Sequence, residues 1–113
     1  MNEQDRKLLL ADLCARLPYK VIIKSIGENK IIGLWDLRNI DNLPLPYLRP
    51  MSSMTDEEYK EFKDTWEYLK HQPDVCVLSV ASYDWLNAHH FDYRGLIEKG
   101  LALEAPEGMY VAE

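Results

Sequence analysis

The sequence predicts a small α+β domain: a β-hairpin extended to a small, mainly antiparallel sheet, with two main helices packed against it and short C-terminal helices. Three observations support this fold, namely an amphipathic N-terminal segment, two β-branched runs around a turn, and a strong helix start near mid-chain. A chain of 113 residues fits one domain. We assign residues 1–105 to that domain and residues 106–113 to a flexible C-terminal tail.

The N-terminal segment predicts a helix over Glu3–Leu17. Its apolar positions recur at the spacing of one helix face: Leu10, Leu13, Cys14 and Leu17. The helix should end there because Pro18 disfavours helical geometry in the residue before it. Cys14 and Cys76 both lie in apolar settings, which predicts two buried free thiols rather than a disulfide or a metal pair.

The hairpin is expected from two β-branched runs, Val21–Ile26 and Lys30–Leu37, that flank a turn at 27–29. Both runs are apolar on both faces, so each face should be at least partly covered. We expect Trp35, and Trp66 farther along the chain, in the core because each occupies an apolar periodic position. Gly33 predicts a bulge or a close backbone approach.

A proline-rich connector follows at 39–53, and its X-Pro pairs favour extended geometry. Its apolar side chains must either pack on the body of the domain or face a partner, and we favour packing. Helix two then begins with the clearest signal in the chain, a capping box formed by Thr55 and Glu58. The acidic residues of this helix are interpreted as a solvated face.

The C-terminal part predicts a third strand at Val75–Val80, although periodicity alone does not separate a short strand from a helical turn. A short helix is expected at Trp85–Ala88, and another at Tyr93–Lys99 after a cap at Asp92. Leu101–Leu103 could add an edge strand.

The net charge of −6 argues against non-specific nucleic-acid binding, which requires a basic surface. It leaves open an acidic inhibitor or nucleic-acid mimic acting on a host system. No apolar run approaches the roughly 18 residues that span a membrane, and the N-terminus is a poor signal peptide. We therefore expect a cytoplasmic protein with no membrane association.

His89, His90 and Asp92 form the cluster that most resembles a catalytic or metal site. Adjacent histidines on a helix point about 100° apart, so they rarely bind one metal together. The sequence also lacks a nucleophile elbow, a dinucleotide-binding glycine motif and a phosphate-binding loop. We therefore predict no catalytic residue, metal or cofactor, and retain a small enzyme using these three residues as an alternative.

Aromatic and arginine side chains give the stronger lead, because they are enriched in interface hot spots. The candidate partner-binding residues are Tyr47, Arg49, Met51, Trp85, Tyr93 and Arg94. Arg49 is expected to pair with Asp84 or Asp92, which would join the connector to the C-terminal segment. If the joined segments are buried they serve folding, and if exposed they bind a partner, most simply another protein. The apolar connector or the two-sided hairpin could also form a homodimer.

Two long segments carry a family resemblance: PYLRPMSSMT at 46–55 and DWLNAHHFDYRGLIEKGLALEAPEGMY at 84–110. DLCARLPY at 12–19 accompanies them in the same order. Together they resemble a family of small uncharacterised proteins from gut Bacteroides and related bacteria, many carried on phages or other mobile elements. The resemblance implies a non-catalytic, cytoplasmic accessory protein linked to such elements, and it supplies no catalytic residues.

Overall fold

The computed structural model describes residues 2–25, 27–38, 42–69 and 75–110. The elements are α1 (Glu3–Arg16), β1 (Ile22–Ser25), β2 (Glu28–Ile31), β3 (Tyr47–Leu48), α2 (Asp56–Leu69), α3 (Val75–Ala88) and β4 (Leu103–Glu104). β1 and β2 pair antiparallel, whereas β3 and β4 pair parallel. The predicted α+β class is confirmed, with two small sheets in the described residues in place of one. None of the helices in these ranges is long and apolar enough to cross a membrane.

Helix α1 forms close to its predicted bounds, and the Asn2 side chain caps it by accepting the Asp5 N–H at 2.7 Å. Leu17 keeps helical angles and begins a 3₁₀ turn through Pro18, so the predicted effect of the proline on Leu17 is wrong. The buried face differs from the predicted stripe, because it contains Leu9, Asp12, Leu13 and Arg16. Cys14 is exposed, so the prediction that it is buried is wrong. The buried face of the helix therefore includes the paired carboxylate of Asp12 and guanidinium of Arg16. A search for apolar periodicity does not detect this face because both side chains are charged. The side chain of Cys76 lies outside the described part of the chain.

The hairpin is confirmed, but its second strand is shorter than predicted and ends at Ile31. The N–H of Gly33 donates to Asp36 Oδ2 at 2.8 Å, and this bond starts a 3₁₀ turn at Leu34–Leu37 where strand was expected. The turn carries Trp35 to the surface, where 76% of the residue is exposed. The prediction that Trp35 belongs to the core is therefore wrong.

The connector packs on the body of the domain, as favoured from the sequence. Leu43 and Leu48 are buried, and Pro46 forms a bridge with Ile23 of β1. The N–H of Lys24 donates to the carbonyl of Leu45 at 3.0 Å. The connector therefore continues the hairpin sheet on the side of β1 opposite β2.

Helix α3 occupies the segment where a strand and a separate short helix were predicted, so both of those predictions are wrong. One helix runs from Val75 to Ala88, and the apolar run at its start continues into Ser82–Ala88 without a turn signal. Length favours a helix in such a case, and this helix packs against α2 through Trp85, whose ring centre lies 5.0 Å from that of Phe62. The side chain of Trp66, also predicted to lie in the core, is outside the described residues.

The segment after α3 is held by turns rather than by the helix predicted at Tyr93–Lys99. The Asp92 carboxylate accepts the N–H of Leu96 at 2.8 Å and that of Ile97 at 3.0 Å. Farther along, the hydroxyl of Tyr110 donates to the Tyr47 carbonyl at 2.6 Å. It also accepts the Ile22 N–H at 2.9 Å. Tyr110, which lies in the segment that the sequence assigned to a flexible tail, therefore contacts β1 and β3.

The buried side chains form two apolar clusters. The larger contains Leu9, Leu13, Val21, Ile23, Ile32, Leu43, Leu48, Leu96, Leu101 and Ala102. The smaller contains Trp85, Leu86 and Phe91, with Phe62 and Met54 packed against it. The larger cluster joins α1 to the hairpin and connector, and the smaller one joins α2 to α3.

A buried ion pair lies beside these clusters. Arg16 Nε donates to Asp12 Oδ2 at 2.8 Å, and neither side chain is exposed to solvent. Arg16 Nη2 also donates to the Phe91 carbonyl at 2.6 Å, and Arg94 Nη1 to Asp12 Oδ1 at 2.7 Å. These bonds connect α1 to residues 91–94 across 75 or more positions of sequence.

We expect Asp12→Ala to lower the free energy of unfolding by about 3–5 kcal/mol, because it leaves the Arg16 charge buried without its carboxylate. Chemical denaturation measures this change. The matched control is Glu3→Ala, which breaks a Glu3–Lys7 pair of the same spacing in the same helix whose side chains are mostly exposed. Equal effects of the two variants would contradict a structural role for the buried pair.

Candidate functional site

The two segments distinguished in the sequence meet at Phe91. The Arg49 N–H donates to the His90 carbonyl, and the Asp92 N–H donates to the Arg49 carbonyl, each at 2.8 Å. The prediction that the segments form one unit is therefore confirmed. Arg16 approaches the same point from α1, and we call this meeting of Arg16, Phe91 and Arg49 the Phe91 junction.

Arg49 is held at the junction by Glu58 rather than by Asp84 or Asp92, so the predicted partner is wrong. Its two terminal nitrogens donate to the Glu58 carboxylate at 2.7 and 2.6 Å, a bidentate pair. Its guanidinium lies 4.2 Å from the centre of the Phe91 ring. Asp92 is unsuited to this role because its carboxylate accepts backbone N–H groups of the following turn.

Glu58 serves two structures at once. Besides binding Arg49, it completes the predicted capping box: Oε1 accepts the Thr55 N–H at 3.0 Å, and the Thr55 hydroxyl accepts the Glu58 N–H at 3.1 Å. The hydrogen bonds from Arg49, followed by those at Thr55, lower the pKa of Glu58 to about 2 despite its partial burial. The carboxylate thus ties the start of α2 to the connector.

The two histidines have separate aromatic partners. His89 stacks on Trp85 with ring centres 3.9 Å apart, and His90 stacks on Tyr110 at 3.7 Å. His90 also adopts a left-handed backbone conformation, with φ of +64°. The described residues contain no group of three His, Cys, Asp or Glu side chains that could hold a metal ion. The arrangement positions aromatic rings and does not bring His89, His90 and Asp92 to one reaction centre.

The pKa of His90 is lowered to about 4, first by burial and then by the nearby positive charge of Arg16. Its Nδ1 atom is buried and has no hydrogen-bond partner within the described structure. At neutral pH the ring is therefore uncharged and acts as an aromatic surface for Tyr110.

Several of the predicted partner-binding residues carry internal contacts. Trp85 is 9% exposed and donates from Nε1 to Glu61 at 3.1 Å. Its ring stacks on Phe91 and is tilted against Phe62. The hydroxyl of Tyr93 donates to Asn87 Oδ1 at 2.9 Å. These contacts give each side chain a role in holding the fold.

Of the remaining predicted residues, Arg94 and Tyr47 have internal contacts and Met51 is exposed. Arg94 is bound to Asp12, and the Tyr47 carbonyl accepts the Tyr110 hydroxyl. Met51 is exposed, at one side of a shallow open depression whose other lining residues include Met54, Tyr59 and Phe62. A partner-binding role for the predicted set, Tyr47, Arg49, Met51, Trp85, Tyr93 and Arg94, stays a prediction.

A surface that the sequence interpretation missed lies at the end of the hairpin. Leu34 and Trp35 are 74% and 76% exposed, and Ile31 is 56% exposed. The guanidinium of Arg38 lies 5.0 Å from the Trp35 ring centre. We call Ile31, Leu34, Trp35 and Arg38 the hairpin face. A sequence signal for this surface was Gly33 followed three residues later by Asp36, a pattern typical of a turn. The turn interrupts the strand, so Trp35 does not follow the inward and outward alternation of strand side chains.

In comparisons with known proteins, no family model matches the chain, and no curated protein or solved structure shows significant similarity to it. Function is therefore inferred from the chain's own side chains.

Glu58→Gln should reduce stability at neutral pH, and the difference from the unaltered protein should shrink as the pH falls from about 4.5 to about 2. A carboxylate whose pKa is lowered by folding stabilises above its unfolded pKa, and this contribution is lost through the folded pKa. Free energies of unfolding across this range measure the effect. The control is Glu57→Gln, an exposed carboxylate in the same first turn. A pH-independent difference for Glu58→Gln would contradict the assignment.

His90 should stay neutral in the fold until the pH approaches about 4, whereas the unfolded chain takes up its proton near 6.5. Stability should therefore fall as pH decreases between these two values, because protons bind preferentially to the unfolded state. His90→Asn, which tolerates the left-handed backbone, should remove that part of the pH dependence. Ring titration by NMR is the direct measurement, and a His90 resonance titrating near 6.5 in the folded protein would refute the buried, neutral state.

Proposed function

We propose that this chain is a non-catalytic protein-interaction module that binds another protein through the hairpin face. The single observation that carries the proposal is the exposure of Leu34 and Trp35, adjacent large apolar residues that are each about three-quarters exposed. Tryptophan and arginine are the residue types most enriched where interfaces concentrate their binding energy. Arg38 beside Trp35 supplies the second of these types.

The cost of this exposure supports a binding role. An exposed tryptophan contributes little to folding, and clustered exposed apolar residues typically mark interaction sites. The turn that presents Trp35 is specifically built, since Asp36 binds both the Gly33 N–H and Lys30 Nζ, the latter at 2.9 Å. The side chains of the hairpin face therefore extend from an ordered scaffold.

The competing functions have less support. An acidic mimic requires an uninterrupted stripe of carboxylates, but Lys60 and Lys63 are exposed among the acidic residues of α2. An enzyme using the histidines requires a shared reaction centre, but His89 and His90 stack on different rings. Among the described residues, no contact specifically favours either of these two functions.

The setting of this module is proposed from the sequence alone. The proposed location is the cytoplasm, where thiols such as that of Cys14 stay reduced. The resemblance of 46–55 and 84–110 to proteins of Bacteroides and their mobile elements supports an accessory role linked to phages or such elements.

Trp35→Ala should weaken binding of the protein partner by at least about 30-fold, as expected for a central hot spot of about 2 kcal/mol, while leaving stability unchanged. The test begins with quantitative affinity capture from the organism that encodes the chain. It continues with calorimetry on the purified partner.

The matched control is Tyr59→Ala, because Tyr59 is an exposed aromatic residue on α2 outside the hairpin face. A partner retained by the control and lost by both Trp35→Ala and Leu34→Ala supports the proposal. Captured proteins that bind Trp35→Ala as tightly as the unaltered chain would overturn it.

A further inference from the structure

We propose that the free edge of β2 pairs with β2 of a second copy of this chain, antiparallel and centred on Asn29. The contact would form a homodimer with a four-stranded sheet. It uses backbone groups and the charges of Glu28 and Lys30, and it does not depend on the partner-binding role of the hairpin face.

The outer edge of β2 is open. The strand is bonded on one side to β1, and all four of its residues are exposed. The Ile32 N–H donates to the Val21 carbonyl at 2.9 Å, which fixes Val21 and Ile32 as a hydrogen-bonded pair. Since bonded and non-bonded pairs alternate in an antiparallel ladder, Asn29 and Ile31 direct their backbone groups away from β1.

The opposite edge of the hairpin confirms this alternation. The N–H groups of Ile22 and Lys24, which pair with Ile31 and Asn29, bond to Tyr110 and Leu45 on the far side of β1. That edge is therefore occupied. Among the described residues, no backbone hydrogen-bond partner lies on the outward N–H and C=O groups of Asn29 and Ile31. An unpaired edge of this kind is a template for another strand.

The charges of β2 select one register. When Asn29 pairs with Asn29 of the second copy, Glu28 lies opposite Lys30 on both sides of the two-fold axis, with Cβ atoms about 4.5–5.5 Å apart. The side chain of Lys30 is 44% exposed despite its ion pair with Asp36, so its ammonium can bind a second carboxylate. The sequence Glu-Asn-Lys is thus complementary to itself in antiparallel pairing.

The other registers that use the outward groups are worse. Pairing Asn29 with Ile31 places Lys30 directly opposite Lys30, a destabilising like-charge pair. Pairing Ile31 with Ile31 places Lys30 opposite the buried Ile32 and leaves Glu28 without an opposite charge. In the Asn29-centred register, Ile31 instead faces Gly27, where a side chain would meet no atom within 4 Å and space is therefore available.

Sedimentation velocity over a concentration series tests the proposal with two charge reversals, Glu28→Lys and Lys30→Glu. Each should weaken self-association by about tenfold or more, because each puts like charges opposite one another twice. An equimolar mixture of the two variants should recover the affinity of the unaltered chain, because every opposed pair is then of opposite sign. The control is Glu104→Lys, a charge reversal at an exposed strand residue of the other sheet.

Circular dichroism checks that each variant is folded, and if Lys30→Glu is not, the comparison of Glu28→Lys with Glu104→Lys decides alone. A chain that remains monomeric throughout the series would overturn the dimer. So would a mixture that associates no more tightly than the separate variants. Either result would leave Trp35-dependent binding of another protein intact, so the two proposals fail independently.

Discussion

The burial of Arg16 is the constraint on which most of this structure depends. A guanidinium without solvent contact is tolerated only when its charge is balanced and most of its donors are bound. Asp12 binds Nε and the Phe91 carbonyl binds Nη2, while Nη1 is buried without a hydrogen-bond partner in the described residues. Phe91 in turn lies under the guanidinium of Arg49, whose carboxylate partner, Glu58, starts α2. One series of charged and aromatic contacts thus runs from α1 through the C-terminal segment and the connector to α2. Two small apolar clusters alone would leave those elements joined only by non-directional packing.

This series also explains where function is to be sought. The arginines and aromatic rings that resemble binding residues in the sequence are largely engaged with each other around Phe91. Their distinctive composition therefore serves folding in the first place. The hairpin differs, because it presents Trp35 and Leu34 outward together with an open strand edge. Exposed apolar side chains and unpaired backbone groups can still form favourable contacts with a partner.

The sequence predicts the parts of the fold whose causes are local. The capping box at Thr55 and Glu58 and the hairpin both depend on residues within a few positions of one another. The errors arise where distant contacts decide. Val75–Val80 begins a helix that packs against α2, and the Glu58 carboxylate binds Arg49 although either Asp84 or Asp92 looked equally suitable. The inward rotation of Asp12 and Arg16 depends on Phe91 and Arg94, more than 70 residues away. Only their i, i+4 spacing was visible in the sequence.

Amide hydrogen exchange in Arg16→Met tests the central role of Arg16 most directly, because methionine keeps most of the side-chain volume without the charge. The informative amides are those of Arg49 and Asp92, which bond across the junction, compared with that of Ile32 in the hairpin. If Arg16 holds the junction, protection at Arg49 and Asp92 falls together and by much more than at Ile32. Unchanged protection at Arg49 and Asp92, or an equal loss at all three amides, would contradict the account.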